Sequence, residues 1–225
     1  DVYKRQVLIP VFAIGKSQEM LFNIHRFKQQ GVIPANTPVY FGGLSAKVSL
    51  LYDRFSGLTR RHDHDFKLKE EIQTVPLPRK GKAPLVCTPG NIYVVSSGMM
   101  TEKTLSNVMA EQVLPHEKNA ILFVGYADPD SPAGQLKTTP HGELVKMRPN
   151  GQPVRRKCTI DCFDFSGHAT RDSLVDYAVK LKPKQVILVH GDPDAVEWMH
   201  DTLAFRMPDA EIIAPVPGKR YTFDS

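Results

Sequence analysis

The chain has 225 residues, of which 41% are hydrophobic and 24% are charged, the composition of a folded soluble protein. No apolar run approaches the roughly 20 residues of a membrane-spanning helix, which excludes an integral membrane protein of that kind. The formal net charge of +5 favours polyanionic partners such as RNA, but only weakly.

The cysteines indicate the cellular compartment of the protein, and the N-terminus indicates whether the sequence is complete. Cys87, Cys158 and Cys162 are an odd number without Cys-x-x-Cys spacing, which favours reduced thiols in a cytoplasmic protein. Cys158 and Cys162 share one side of a probable strand, so we expect both to lie in a core rather than to bind metal. The sequence lacks a starting Met and a signal peptide and runs at once into a buried strand. We therefore expect an internal fragment whose residues 1–6 are a candidate foreign scar.

Apolar runs alternate with helical periodicity along the chain, which predicts an α/β fold. The predicted strands are 7–12, 37–41, 91–95, 120–125, 143–148, 153–164, 185–189 and 211–214. The predicted helices are 17–30, 45–56, 102–114, 170–182 and 193–206. The first helix places Met20, Leu21, Ile24 and Phe27 on one face and should end at Gly31.

Two short segments resemble parts of known site motifs. Gly15-Lys16-Ser17 looks like the end of a phosphate-binding P-loop, but Pro10 stands where the first glycine is needed. Ser17 is better explained as a helix N-cap. His62-Asp63-His64-Asp65 looks like part of a His-x-His-x-Asp-His zinc signature with the Asp one place early and no final His. Its charged flanks favour a surface loop.

Two loops after predicted strands leave alternatives open. Ser96-Ser97-Gly98-Met99 precedes a helix, so its amides and hydroxyls would sit at a helix N-terminus and could bind an anion such as a phosphodiester. It is equally well explained as an ordinary β-α turn. In the segment 125–132, Ser131 is a candidate N-cap and Pro132 the first helical residue, and Asp128 and Asp130 are interpreted as turn residues.

The most informative residues are His168 and His190. Each follows an apolar strand and precedes a helix, next to small residues that allow close approach of the backbone. One helix and one strand separate them, so both could project from the same edge of a single sheet. Histidines placed in this way are candidates for metal ligation and proton transfer.

Taken together, several motifs resemble the C-terminal portion of β-CASP metallo-β-lactamase-fold nucleases, which include the endonuclease of mRNA 3′-end processing and ribonuclease J. Residues 7–19 look like the opening of the β-CASP insert, and 92–100 and 121–126 look like its internal strands and turns. Phe165-Ser-Gly-His-Ala and Leu188-Val-His-Gly look like the two late histidine motifs. The resemblance implies a Rossmann-like β-CASP domain over 7–157 and the C-terminal part of a metallo-β-lactamase αββα fold over 158–225.

By that resemblance, the whole protein hydrolyses RNA phosphodiester bonds as a zinc-dependent endonuclease. His190 would be a ligand to one of two zinc ions, and His168 would be the general acid for the departing 3′ oxygen. Ser166 and Gly167 would bind the substrate, as would Ser97 and Gly98 in the loop that follows the predicted strand 91–95. The alternatives are a ribonuclease J-like 5′ exonuclease and a non-catalytic RNA-binding or scaffold subunit.

The same resemblance limits what this sequence should do by itself. The upstream zinc ligands of the nucleases are absent from it, and a zinc site needs three or four protein ligands. We therefore expect the 225-residue chain to be inactive and to bind zinc weakly. Its expected partners are RNA and the N-terminal half of the metallo-β-lactamase domain, and a homodimer stays open. Asp128 and Asp130 also depart from the usual motif, which leaves their role toward a phosphate backbone open.

Overall fold

The computed structural model describes residues 5–59, 63, 65–78, 86–165 and 167–222. The strands are β1 (Val7–Pro10), β2 (Val39–Phe41), β3 (Val75–Pro76), β4 (Ile92–Val95), β5 (Ala120–Phe123), β6 (Leu144–Val145), β7 (Val154–Arg155), β8 (Thr159–Cys162), β9 (Gln185–Ile187) and β10 (Glu211–Ile213). The helices are α1 (Lys16–Gln29), α2 (Gly43–Arg54), α3 (Leu68–Glu71), α4 (Leu105–Val113), α5 (Pro132–Thr138), α6 (Arg171–Leu181) and α7 (Pro193–Arg206), with a 3-10 turn over Ser56–Leu58. The predicted α/β class is confirmed.

Six strands form one parallel sheet in the order β3-β2-β4-β1-β5-β8. Side chains alternate between its faces, so Leu8 and Tyr93 join a core with α4 and α5, whereas Ile9 and Val94 join a second core with α1. A parallel sheet buried on both faces by crossover helices is the doubly wound arrangement that the near-continuous apolar strands predict.

By its internal contacts the chain divides into two units, residues 1–167 and 168–225. In the second unit the parallel strands β9 and β10 pack with α6 and α7 around Val175, Leu203 and Met207. The sequence predicts a domain boundary between residues 157 and 158. The boundary between the two units lies later in the chain, because β8 pairs with β5 and therefore belongs to the first unit. No helix in the described part of the chain has the length and apolar character that crossing a membrane requires.

The first helix shows a confirmed C-terminal boundary and one error. Its end at Gly31 is confirmed: Gly31 has a φ of 73° and donates to the Lys28 carbonyl, and Val32 donates to the Phe27 carbonyl, as in a Schellman motif. Ser17 is not the N-cap, because the helix already begins at Lys16 and the Ser17 hydroxyl donates to the Ala13 carbonyl at 2.9 Å. Of the four apolar residues predicted on one face, Met20, Leu21 and Ile24 are buried and Phe27 is 43% exposed.

The long strand predicted over 153–164 is interrupted. Residues 154–155 form β7, which pairs antiparallel with β6, and residues 159–162 form β8 in the six-stranded sheet. Cys158 lies just before β8 and is buried, whereas Cys162 at the end of this edge strand is exposed. The expectation that both cysteines lie in a core is therefore correct for Cys158 and wrong for Cys162.

Candidate functional site

The carboxyl ends of β1, β4 and β5 lie side by side in the six-stranded sheet, and this edge is where ligands bind in doubly wound folds. Phe12, Lys16, Gly98, Gly125 and Tyr126 line a crevice between the loops that follow these strands. Its volume is about 10 Å³, room for about one water molecule. This crevice is too small to enclose a small-molecule ligand.

The loop after β4 holds Ser97 and Gly98 in a tight turn. The Ser97 carbonyl accepts hydrogen bonds from the Ser106 hydroxyl at 2.7 Å and from the Met100 amide at 3.2 Å. A Cβ atom on Gly98 would approach the Phe12 ring to 3.2 Å, so a larger residue there would require the ring to move by a few tenths of an ångström. Helix α4 begins at Leu105, not at residue 102, and the expectation that Ser96–Met99 sit at a helix N-terminus is wrong. Substrate binding by Ser97 and Gly98 stays a prediction.

Lys16 is a further candidate residue of this site, although the sequence suggested it only as part of an incomplete P-loop motif. Its ammonium donates to the Phe165 carbonyl and lies 2.6 Å from the Glu19 carboxylate, and its side chain is 12% exposed. Lys16 thus ties the loop after β1 to the segment after β8, which leads directly to Gly167. The Gly-Lys-Ser sequence after a strand indicated a positively charged side chain at this edge of the sheet, without indicating nucleotide binding.

The loop over residues 125–132 behaves as predicted. Ser131 is the N-cap of α5, because its hydroxyl oxygen accepts from the Gly134 amide at 3.1 Å, and Pro132 is the first helical residue. Asp128 is a turn residue whose carboxylate accepts from the Asp130 amide at 2.8 Å. Both aspartates are exposed, and the described contacts give them a structural role in starting the helix.

His168 and His190 occupy equivalent positions before the two helices of the second unit. His168 lies two residues before Thr170, the N-cap of α6, and His190 lies two residues before Asp192, the N-cap of α7. Both side chains are exposed. His190 has a φ of 65°, a left-handed conformation that few residues other than glycine adopt and that is often found at functional sites.

The sequence allowed both histidines to project from one sheet, but the described strands before them pair in different sheets. The strand before His168 is β8, which belongs to the six-stranded sheet, and the strand before His190 is β9, which pairs with β10. Strand β8 pairs with β5, from Ala120 opposite Thr159 to Phe123 opposite Cys162, and β9 pairs with β10. The motifs alone did not reveal this pairing.

Within the described residues, no group of three or more His, Cys, Asp or Glu side chains is placed to hold a metal ion. Zinc sites take three or four protein ligands, so the donors described here do not fit a complete zinc site. Ser166, His62 and His64 lie outside the described residues.

Two of the three cysteine thiols are disfavoured as metal ligands, and alkylation of the thiols tests this. Burial raises the pKa of Cys87 and Cys158 to about 11, which disfavours the thiolate that binds metal. At pH 8 we expect iodoacetamide to modify exposed Cys162 well before the other two, as measured by mass spectrometry of digested peptides. Because the two raised pKa values favour the protonated folded state, their contribution to stability should fall as the pH rises from about 9 to about 11. Equal labelling of Cys158 and Cys162 at pH 8 would contradict this assignment.

Comparison with known proteins identifies two matched segments. The family model described as the Beta-Casp domain matches residues 17–136, and the model described as the Zn-dependent metallo-hydrolase RNA specificity domain matches residues 153–215. The Integrator complex subunit 11 homolog of Dictyostelium discoideum is 27% identical to this chain, and the match covers 90% of this chain and 28% of the relative. Transcription termination factor FttA of Methanocaldococcus jannaschii is 27% identical, over 88% of this chain and 33% of the relative. Endoribonuclease YSH1 of Candida albicans is 25% identical, over 83% of this chain and 22% of the relative. The chain spans about a third or less of the length of these relatives.

Proposed function

Because this chain belongs to the β-CASP family of metallo-β-lactamase-fold proteins, we propose that the whole protein hydrolyses RNA phosphodiester bonds as an endonuclease. The order of the matched segments carries the proposal: the Beta-Casp domain precedes an RNA specificity domain that contains both His168 and His190. A similar protein, YSH1 of Candida albicans, is named an endoribonuclease, which supports RNA as the polymer.

Each of this chain's candidate residues has a distinct role in the proposal. His168 donates a proton to the departing 3′ oxygen in the proposal, because histidine is the side chain most often used as a general acid and that of His168 is exposed. Ser166 and Gly167 hold the scissile phosphate through a hydroxyl and an amide. Ser97 and Gly98, at the edge where ligands of doubly wound sheets bind, contact the RNA backbone farther along.

Zinc is the metal that the name of the RNA specificity domain implies. His190 supplies one imidazole ligand in the proposal, and two zinc ions would need further ligands that the described residues do not assemble. We propose that these ligands belong to another part of the whole protein.

The second unit has the surface that such a part would cover. Along β9 and the residues after it, Val186 and Leu188 pack into the core, whereas Ile187 and Val189 point outward, and Val189 is 73% exposed. On α6, Val175 is buried and Leu174, Tyr177 and Leu181 are exposed. Two strands seldom form a stable sheet alone, and these outward apolar faces favour the N-terminal half of a metallo-β-lactamase domain as their partner.

The proposal is tested with a circular single-stranded RNA and the same RNA in linear form, incubated with the purified full-length protein. An endonuclease opens the circle and then cuts the linear product. Cleavage of the linear RNA alone, with release of mononucleotides from the 5′ end, would instead establish the exonuclease alternative. Binding without cleavage of either form would establish the scaffold alternative.

The 225-residue chain by itself should bind zinc weakly. Since the described residues offer no complete ligand set, isothermal titration with zinc is expected to show no site tighter than micromolar at neutral pH. The full-length protein measured in parallel is the control. A nanomolar site in the isolated chain would mean that its ligand set has been misidentified.

A further inference from the structure

Lys16 lies at the start of α1 with its side chain mostly buried. The side chain is 12% exposed, and its ammonium donates to the Phe165 carbonyl and lies 2.6 Å from the Glu19 carboxylate. Hydrogen bonds from an ionised donor are stronger than those between neutral groups. Lys16 is therefore a fixed part of the fold, whereas the flexible stem of an exposed lysine is free to move.

Phe165, the partner of Lys16, is held through its side chain as well. The Phe165 ring packs against the core that lies between α1 and the sheet, and its centre is 6.0 Å from the Lys16 ammonium. Two residues earlier, the Phe163 amide still donates to the Phe123 carbonyl of β5 at 2.8 Å. The chain that leaves β8 is thus held by the sheet at Phe163 and by α1 at Phe165.

The fixed Phe165 backbone comes shortly before the proposed general acid. His168 follows it by three residues, and three peptide units span about 11 Å at most. Proton donation needs the donor and acceptor atoms within about 3.2 Å of each other, so the path of the chain after Phe165 affects whether the imidazole meets the departing oxygen. A misplacement of about 1 Å in such a site can cost about a hundredfold in rate.

The contacts of Lys16 favour holding this segment over binding RNA directly. The Phe165 carbonyl and the Glu19 carboxylate take up two of its three N–H donors, and the carboxylate neutralises its charge. The crevice that Lys16 lines together with Gly98 and Tyr126 has room for about one water molecule. Little of the side chain is left for a phosphate to contact.

We propose that Lys16 is a positioning residue of the nuclease site, which fixes the Phe165 backbone and thereby sets the path of the chain that carries His168. Without the ammonium, the Phe165 carbonyl loses this donor and the segment is held by the packing of the ring alone. This inference rests on the proposed function, because Lys16 takes part in the reaction only through His168.

The first test replaces the ammonium in the full-length protein and measures steady-state cleavage of RNA. Lys16→Met keeps a long apolar side chain and is expected to lower kcat by about tenfold to a hundredfold with little change in KM, because chain misplacement affects the chemical step. Lys16→Arg keeps a charged donor and should recover most of the lost kcat. Loss of a phosphate-binding lysine would instead raise KM and reduce the salt dependence of binding by about one counterion.

A double-mutant cycle tests whether Lys16 acts through His168. In a His168→Ala background, the further loss caused by Lys16→Met should shrink strongly, because the position of the chain matters little once the imidazole is gone. If the two losses multiply in full, Lys16 acts independently of His168 and the proposal is overturned.

Lys28→Met is the matched control. Lys28 lies about 18 Å farther along α1, and its ammonium donates to the Thr37 carbonyl at 2.5 Å, which is the same kind of contact at the other end of the helix. Lys28→Met should leave kcat unchanged, and melting temperatures of both variants give the contribution of each contact to stability. If Lys16→Met does not fold, Lys16→Gln, which keeps an uncharged donor, takes its place.

Cleavage by the wild-type protein separates this inference from the function on which it rests. If the wild-type protein cleaves no RNA, the proposed function is wrong and the positioning role is wrong with it. If the wild-type protein cleaves RNA but Lys16→Met has the same kcat as Lys28→Met, or raises KM at constant kcat, only the positioning role is wrong.

Discussion

His168→Ala is expected to lower the RNA-cleavage turnover of the full-length protein by about 10²–10⁴-fold, the range that general acid catalysis commonly contributes. The bound metal should be unchanged, because in the proposed mechanism His168 donates a proton and does not hold zinc. Single-turnover cleavage of a labelled RNA gives the rate, and elemental analysis of the same sample gives the zinc content.

A modified substrate separates proton donation from other roles of His168. When sulfur replaces the departing 3′ oxygen, the leaving group departs without protonation, so the loss in His168→Ala should shrink strongly on this RNA. His200→Ala is the matched control, since His200 is a partly exposed histidine of α7 in the same unit whose ring lies 3.0 Å from Asp201. An unaltered rate in His168→Ala, or an equal loss on both substrates, would show that the general-acid role is wrong.

Much of the fold could be predicted because burial leaves a periodic trace in the sequence. Strands buried on both faces, such as Ile92–Val95, are continuous apolar runs, and helix ends carry local signals such as Gly31 and Ser131. The prediction from local signals failed at the start of α1, where no side chain caps the helix. Ser17 looks like an N-cap, yet Gly15 takes that position with a φ of 76°.

Features that depend on distant parts of the chain could not be predicted. Strand β8, before His168, pairs with β5, and β9, before His190, pairs with β10, and no local pattern in the sequence encodes these pairings. The contact of Lys16 with Phe165 likewise joins loops far apart in sequence. On α2, Ser49 faces inward, where the Gln18 amide on another helix donates to its hydroxyl. A reading of hydrophobic periodicity alone would have placed the leucines there.

The candidate site was predicted as a set of motif residues and not as an arrangement. His168 and His190 were found because small residues and apolar strands surround them, and these features are local. The left-handed φ of His190 was not foreseen, although Gly191 follows it and the turn into α7 is short. This conformation matters for testing the metal role of His190, because a substitution there changes both a proposed ligand and the backbone preference.

His190→Ala is expected to lower zinc content and RNA-cleavage activity together in the full-length protein, with activity falling by about a hundredfold or more. In the proposed site the imidazole is a direct ligand, and alanine offers no atom to replace it. Zinc is measured by elemental analysis after dialysis against a weak chelator, and cleavage is measured on the same preparation. Full zinc content with normal cleavage would contradict the assignment.

His190→Asn separates the ligand from the backbone. Alanine is disfavoured at the φ of 65° found at His190, whereas asparagine adopts left-handed conformations more readily. Asparagine is also a poor zinc ligand compared with imidazole. If His190 holds zinc, His190→Asn should lose metal and activity as His190→Ala does while keeping a higher melting temperature than His190→Ala. If instead His190→Asn keeps both metal and activity, the residue serves only the turn between β9 and α7.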